Sequence, residues 1–269
     1  MKFPGFLSDA SITYASVPSH LEGATSRGVL WQAAPGRFLL DAPDTARYLV
    51  EDGKRISIDT HTSADESEVT RFLRMTPLAA LLFQRGVPAF HAAAVAGPVG
   101  AIVIAGDSGA GKSTLLAAML KRGWNLLADD LAAVDLNENG VPTVFPIFPE
   151  AILWPDTMKE LKIETTGQGR QIVPMEDRFA ASPQPLRAIC RLSVHKEELD
   201  SEEIKGTKLF NTLTMLSYNS RIADALLDRS AYMRLAAEIA KTVSVRTLRR
   251  PRGQWCIEEM ADIVEGGGQ

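Results

Sequence analysis

Cysteine is almost missing from this chain: two residues, Cys190 and Cys256, in 269. Two are too few for a disulfide framework, and neither stands at metal-ligand spacing from the other or from a histidine. Both read as reduced thiols, at least partly buried. Long apolar runs are missing too. None approaches the ~18 residues of a membrane span, and residues 1–6 carry no sustained apolar stretch of the signal-peptide kind. The expectation is a cytoplasmic protein without a membrane partner. An excess of positive charge is also lacking. The 29 Lys+Arg and 33 Asp+Glu leave a formal net charge of −4, which argues against a nucleic-acid partner. What is present is ordinary for a globular chain: 45% hydrophobic and 23% charged residues. The length suits one large domain or two small ones.

Residues 1 to about 62 read as β-rich. Short apolar runs alternate with turn signals such as Ala42-Pro43-Asp44 and Glu51-Asp52-Gly53-Lys54. From Ser63 the period becomes helical, with Ser63 and Glu66 spaced as a capping box. A second helix opens at Pro77 and stops at Gly86. A boundary near residue 86 divides the chain into 1–86 and 87–269. In the second part, residues 89–95, 101–105 and 125–128 read as strands, and a helix follows the glycine-rich loop. Further on, helices are expected around 156–162, 207–217, 220–227, 230–241 and 257–264. A strand is expected over 243–248, and a frayed tail over 266–269.

The most informative segment is Gly106-Asp107-Ser108-Gly109-Ala110-Gly111-Lys112-Ser113. It matches G-x-x-x-x-G-K-[ST] in full, between a buried strand and a helix. Glycines let the backbone curl so that N–H groups turn toward phosphate oxygens. The helix adds its free N–H groups and the positive end of its dipole. Lys112 supplies a point charge at the β/γ-phosphates, and the Ser113 hydroxyl is a magnesium ligand. A nucleoside triphosphate with Mg²⁺ is the implied ligand.

Phosphoryl transfer also needs a group that orients or deprotonates the acceptor. Asp129 and Asp130 end an apolar strand, where a carboxyl-end residue faces the nucleotide crevice. Adjacent strand residues point to opposite faces, so the pair is expected to divide its roles. The alternative is a solvated acidic turn. His91 sits on the strand before the P-loop strand. If the two form a hairpin around 97–100, its imidazole comes near the phosphates; the alternative is a structural histidine.

These three pieces stand together. Phe90-His91-Ala92-Ala93-Ala94-Val95 leads into Gly106–Ser113, and Lys121-Arg122-Gly123-Trp124-Asn125-Leu126-Leu127-Ala128-Asp129-Asp130 follows. Residues 90–130 thereby resemble the HPr kinase/phosphorylase family, which carries GDSGxGKS and R-G-H-x-L-[VI]-A-D-D at this spacing. The resemblance implies a phosphoenolpyruvate-carboxykinase-type P-loop kinase domain. With the β-rich N-terminal region, the fold class is α/β. It implies ATP and Mg²⁺ as cofactors, bound by Gly106, Asp107, Ser108, Gly109, Ala110, Gly111, Lys112, Ser113 and Thr114. It also implies Ser113 and Asp130 on the metal, and His91, Lys112, Asp129 and Asp130 as catalytic residues, one aspartate accepting the proton. The family acts on a protein serine and forms homo-oligomers.

The departures are Thr114 where the family has Glu, Trp124 where it has His, and no second glycine-rich signature. Residues 144–155 (VFPIFPEAILWP) occupy that place, with Glu150 as a substitute metal ligand. The layout resembles a divergent branch that includes peptide-tailoring kinases of lasso-peptide systems, which phosphorylate a C-terminal serine. The acceptor is therefore expected to be a peptide or small protein rather than HPr. A small-molecule kinase and a catalytically weak nucleotide-binding subunit are the rival readings.

Arg170, on the Gly167-Gln168-Gly169-Arg170 loop, is a candidate contact for the transferring phosphoryl group or a solvated loop residue. Arg178 and Arg221 are weaker candidates. Arg246, Arg249, Arg250 and Arg252 cluster around Pro251. They read as a solvated strand end or as a contact for an acidic peptide or carboxylate.

Overall fold

Tight turns with left-handed residues shape the N-terminal sheet. Asp44 and Asp52 adopt φ of 58° and 51°, which a short polar side chain tolerates, and Gly53 follows at 63°. The chain folds back at each, so Arg37–Ala42, Ala46–Glu51 and Arg55–Thr60 form an antiparallel meander. Trp31–Ala34 and Ser26–Arg27 extend one edge, and Ser11–Tyr14 pairs in parallel with Arg55–Thr60 at the other. Along Ala46–Glu51 every second residue is buried, as the two-residue period requires.

The structure is a computed structural model that describes every residue except 1, 2, 4, 166, 196, 197, 255 and 267–269. The tail read over 266–269 lies outside the described residues from 267 onward. The chain divides into two units, Met1–Ala89 with Ser217–Met233, and Phe90–Leu216 with Arg234–Gln269. The architecture is mixed α/β with several sheets. Among the described residues, no helix is long and apolar enough to cross a membrane.

In the first unit, helices Glu66–Leu73 and Thr76–Gln84 follow the sheet. Asp65, not Ser63, caps the first: its carboxylate accepts from the Ser67 N–H at 2.7 Å. Pro77 opens the second, which buries Leu78, Leu81 and Leu82. The buried Tyr48 hydroxyl donates to the Val69 carbonyl at 2.9 Å, tying sheet to helix.

In the second unit, the P-loop strand Gly100–Gly106 is flanked by two strands. Ala92–Gly97 runs antiparallel to it through a hairpin in which Gly97 faces Gly100. On the other side Gln184–His195 runs parallel. Ser244–Pro251 lies parallel beyond Gln184–His195, and Asn125–Ala128 lies beyond Ala92–Gly97. The run read as one strand over 89–95 is interrupted at His91, between Ala89–Phe90 and Ala92–Gly97. Gln184–His195, the longest strand described, was not foreseen, because Arg187, Arg191 and Ser193 interrupt its apolar pattern.

Two helices cover one face of this sheet. Leu115, Leu116 and Met119 of the P-loop helix Lys112–Lys121, with Met260 and Val264 of Ile257–Gly266, pack on Val95, Ile102, Ile104, Leu192 and Leu248. Arg122 ties the two helices at their surface. Its guanidinium donates to the Glu258, Asp262 and Glu265 carboxylates at 2.7, 2.7 and 3.0 Å. Trp124 adds an indole N–H bond to Glu265 at 2.9 Å.

Arg122→Ala is expected to lower stability by about 1 kcal/mol, since its partners are largely solvated. Denaturant unfolding at low and high salt checks this: the wild-type advantage should shrink as salt rises.

Candidate active site

The P-loop begins where the strand cannot accept a side chain. Gly106 has φ of 140°, and a Cβ there would lie 2.5 Å from the Leu192 carbonyl oxygen. Gly111, at φ 109°, precedes the first turn of the helix. Two cations hold the loop. Lys112 Nζ folds back to donate to the Gly106 carbonyl at 2.6 Å. Arg250, from the parallel strand Ser244–Pro251, donates through Nε to the Ala110 carbonyl at 2.7 Å. Its Nη2 donates to the Gly109 carbonyl at 2.9 Å. A trans peptide points C=O and the next N–H in opposite directions, so the Ala110 bond aims the Gly111 N–H away from Arg250.

Asp129 and Asp130 lie just beyond the strand Asn125–Ala128 and face two ways. Asp129 turns inward: its carboxylate accepts from the Ile152 N–H at 2.7 Å and the Asp130 N–H at 3.0 Å. Asp130 adopts a left-handed φ of 60°. Only 6% exposed, it accepts from Arg170 Nη2 at 2.7 Å. Arg170 immediately precedes Gln171–Pro174, which pairs with Glu150–Leu153 and brings the arginine beside the Ile152 carbonyl.

His91 lies one residue before Ala92, which faces Ala105, so the hairpin carries it to the end of the P-loop strand. Its Nδ1 is 3.1 Å from the Asp130 carbonyl oxygen. A carbonyl only accepts, so Nδ1 bears the proton and Nε2 is the basic nitrogen.

Burial, then the charge of Lys112, lowers the imidazole pKa from 6.5 and keeps the ring neutral near pH 7. Burial also lowers Lys112 from 10.5. Burial and the Asp130 charge push Asp129 up to about 7.

A cavity of about 220 Å³ gathers these groups. Lys112, Ser113, Thr114, Asp130, His91 and Arg170 line it, with Asp107, Ser108, Gly109 and Gly111 of the loop. Gly106, Ala110 and Asp129 are not among the lining residues; they act on the cavity through backbone and through Asp130. Glu150 does not line it either, and neither does Arg178 or Arg221. The basic cluster is dispersed along the strand: Arg249 pairs with Asp200 and Glu202, Arg246 donates to Ser201 Oγ at 3.1 Å, and of the cluster Arg250 alone lines the cavity.

Three lining residues were not singled out by sequence: Trp154, 52% exposed; Thr157; and Arg250 as a brace of the loop. The L-W-P run before a short helix was the available signal for the first two.

The residues present fit a magnesium nucleotide. Among the described residues, no cluster of three or more His, Cys, Asp or Glu could hold a metal. Mg²⁺, however, characteristically takes one or two protein oxygens and completes its shell with phosphate and water. Ser113 and Asp130 on one cavity supply that number.

The chain matches no family model and no curated protein. Among solved structures it is similar to the Hpr(Ser) kinase/phosphatase from Coxiella burnetii. The identity is 14%, over 66% of this chain and 88% of that one, with a TM-score of 0.36.

A depressed His91 pKa means that the unfolded chain binds the proton first as pH falls below 6.5. The histidine's contribution to stability is then lost on acidification. Asp129, raised, has the opposite sign but cancels when wild type is compared with His91→Gln. Wild type should lose more unfolding free energy than His91→Gln between pH 8 and pH 5, by denaturant titration at both.

Proposed function

We propose that the segment 87–269 is an ATP-dependent phosphotransferase with a phosphoenolpyruvate-carboxykinase-type P-loop domain. Its acceptor is a serine hydroxyl of a peptide or small protein. The observation that carries this reading is the convergence of a complete P-loop, Asp130, His91 and Arg170 on one cavity. An ATPase also sets a carboxylate beside the phosphates, so transfer to an acceptor rather than to water is what the measurement below decides.

Lys112 exchanges the Gly106 carbonyl for the β/γ-phosphate oxygens. Magnesium bound through Ser113 and Asp130 would supply charge neutralisation at the phosphates. Asp130 accepts the proton of the serine hydroxyl as its oxygen attacks the γ-phosphorus. The bond from that phosphorus to the β–γ bridging oxygen breaks and ADP leaves. His91 holds the Asp130 backbone through Nδ1–H, and Asp129 fixes Asp130 from behind. Arg170 sits where it stabilises charge on the transferring group. A C-terminal serine of a precursor peptide is the acceptor class suggested by the layout of residues 87–155.

Lys112→Ala should weaken Mg-ATP binding at least about tenfold in calorimetry. Asp130→Asn should weaken Mg-ATP binding less than Lys112→Ala does but slow transfer by about 10²-fold or more. Mass spectrometry of serine peptides and small alcohols incubated with Mg-ATP reads this out. Full transfer by Asp130→Asn would sink the assignment of the base. Phosphate gained by the alcohols alone would make the chain a small-molecule kinase.

A further inference from the structure

A nucleotide on the P-loop has two ends, and the cavity accounts for one. Asp130, His91, Arg170 and Lys112 mark the γ-phosphate end. The cavity's other edge is formed by Gly111, Thr114 and Arg250, and those three residues also line a second hollow, of about 130 Å³. Gln254, Cys256, Ile257 and Met260 complete it. The walls are mainly apolar, supplied by the start of the C-terminal helix Ile257–Gly266, and one amide, the exposed Gln254, stands at the rim.

We propose that this hollow is the base subsite, receiving the purine of the nucleotide whose phosphates the P-loop holds. The proposal rests on the nucleotide reading above. Three observations carry it. The first is polarity: in a P-loop the lysine reaches the β/γ end, so the base must leave by the opposite edge. The second is adjacency, since the two hollows share Gly111, Thr114 and Arg250. The third is chemistry. A base has apolar faces and a polar edge, which matches Ile257 and Met260 with the Gln254 amide beside them. A third hollow, beyond Thr114 toward Lys121 and Glu160, measures about 20 Å³ against 130 Å³ and is too small for a base. Arg250 then does two jobs: it holds the Gly109 and Ala110 carbonyls and borders the base.

Cys256 allows a test on the unmutated protein. It is half-buried in this hollow, whereas Cys190 is buried at 5% exposure. Burial and Glu259 raise the Cys256 pKa, so labelling is run at alkaline pH. Alkylation by iodoacetamide is followed by mass spectrometry with saturating Mg-ATP, with Mg-tripolyphosphate, and with neither. Tripolyphosphate has the phosphates and no base. ATP should slow Cys256 labelling at least about fivefold, and tripolyphosphate should leave it within twofold.

A second arm uses Cys256→Trp, which fills the hollow. It should weaken ATP binding at least about tenfold and leave tripolyphosphate binding unchanged. Equal protection by both ligands, or protection by neither while both bind, overturns the base subsite and leaves the P-loop reading intact. Binding of neither ligand to wild type overturns the P-loop reading itself. Should the tryptophan variant not fold, the labelling arm decides alone.

Discussion

One inward-facing carboxylate organises the Asp130 and Arg170 side of this cavity. Asp129 accepts backbone N–H bonds from Asp130 and from Ile152, two segments far apart in sequence. The first bond helps hold Asp130 in its left-handed turn, which sends that side chain into the cavity. The second anchors the hairpin of Glu150–Leu153 and Gln171–Pro174, whose start carries Arg170. Two backbone donors favour the ionised carboxylate, while burial and the neighbouring charge of Asp130 oppose it, and the second pair wins. Asp129 is therefore a positioning residue, held under electrostatic tension, whose worth lies in where it puts Asp130 and Arg170.

The cations of the site are all engaged within the protein. Lys112 is solvated by the Gly106 carbonyl, Arg170 by Asp130 and the Ile152 carbonyl, Arg250 by the carbonyls of Gly109 and Ala110. These bonds differ in how readily an anion replaces them. A lysine on a neutral carbonyl gains by moving to a phosphate, where its charge is met by charge. Arg170 already has a carboxylate, so its transfer to a phosphoryl group is closer to balanced and depends on Asp130 finding a proton or a metal. Arg250 makes two bonds to the loop's own backbone, so its role is to keep the loop open.

The parts of this arrangement that were legible in the sequence are those fixed by local chain geometry. Gly106–Ser113 is contiguous, and its neighbours on both sides carry the right periods. The hairpin at Gly97–Gly100 was legible for the same reason, and with it the place of His91. Two-residue alternation led to the expectation that Asp129 and Asp130 face different ways, but both lie beyond Asn125–Ala128 and the left-handed turn at Asp130 is what parts them. What escaped was supplied from a distance. Gln184–His195 interposes between the P-loop strand and Ser244–Pro251, and its own pattern is broken by arginines that point outward. Without that strand nothing places Arg250 against Gly109, and its basic neighbours disguise it as part of a charge cluster. Trp154 and Thr157 reach the cavity because Asp129 draws in the preceding hairpin strand, a contact no linear pattern encodes.

Trp124 and Thr114, the departures from the family pattern within residues 90–130, acquire a physical sense in this frame. The Trp124 ring packs on Gly97, where a Cβ would lie 2.5 Å away, and its N–H reaches Glu265. With Arg122 it fastens the far end of the P-loop helix to the helix Ile257–Gly266. At the near end, Thr114 and Gly111 border the hollow that the first turn of that same C-terminal helix walls. A carboxylate at 114 would put negative charge beside this apolar wall, whereas threonine is neutral and small. Arg122 reaches Glu258 in the first turn of the C-terminal helix as well as Asp262 and Glu265 further along, so charge holds that helix along its length. The hollow beside Thr114 opens on the Ile257 side of that first turn, while the interface stays packed around Leu115, Met119, Met260 and Val264.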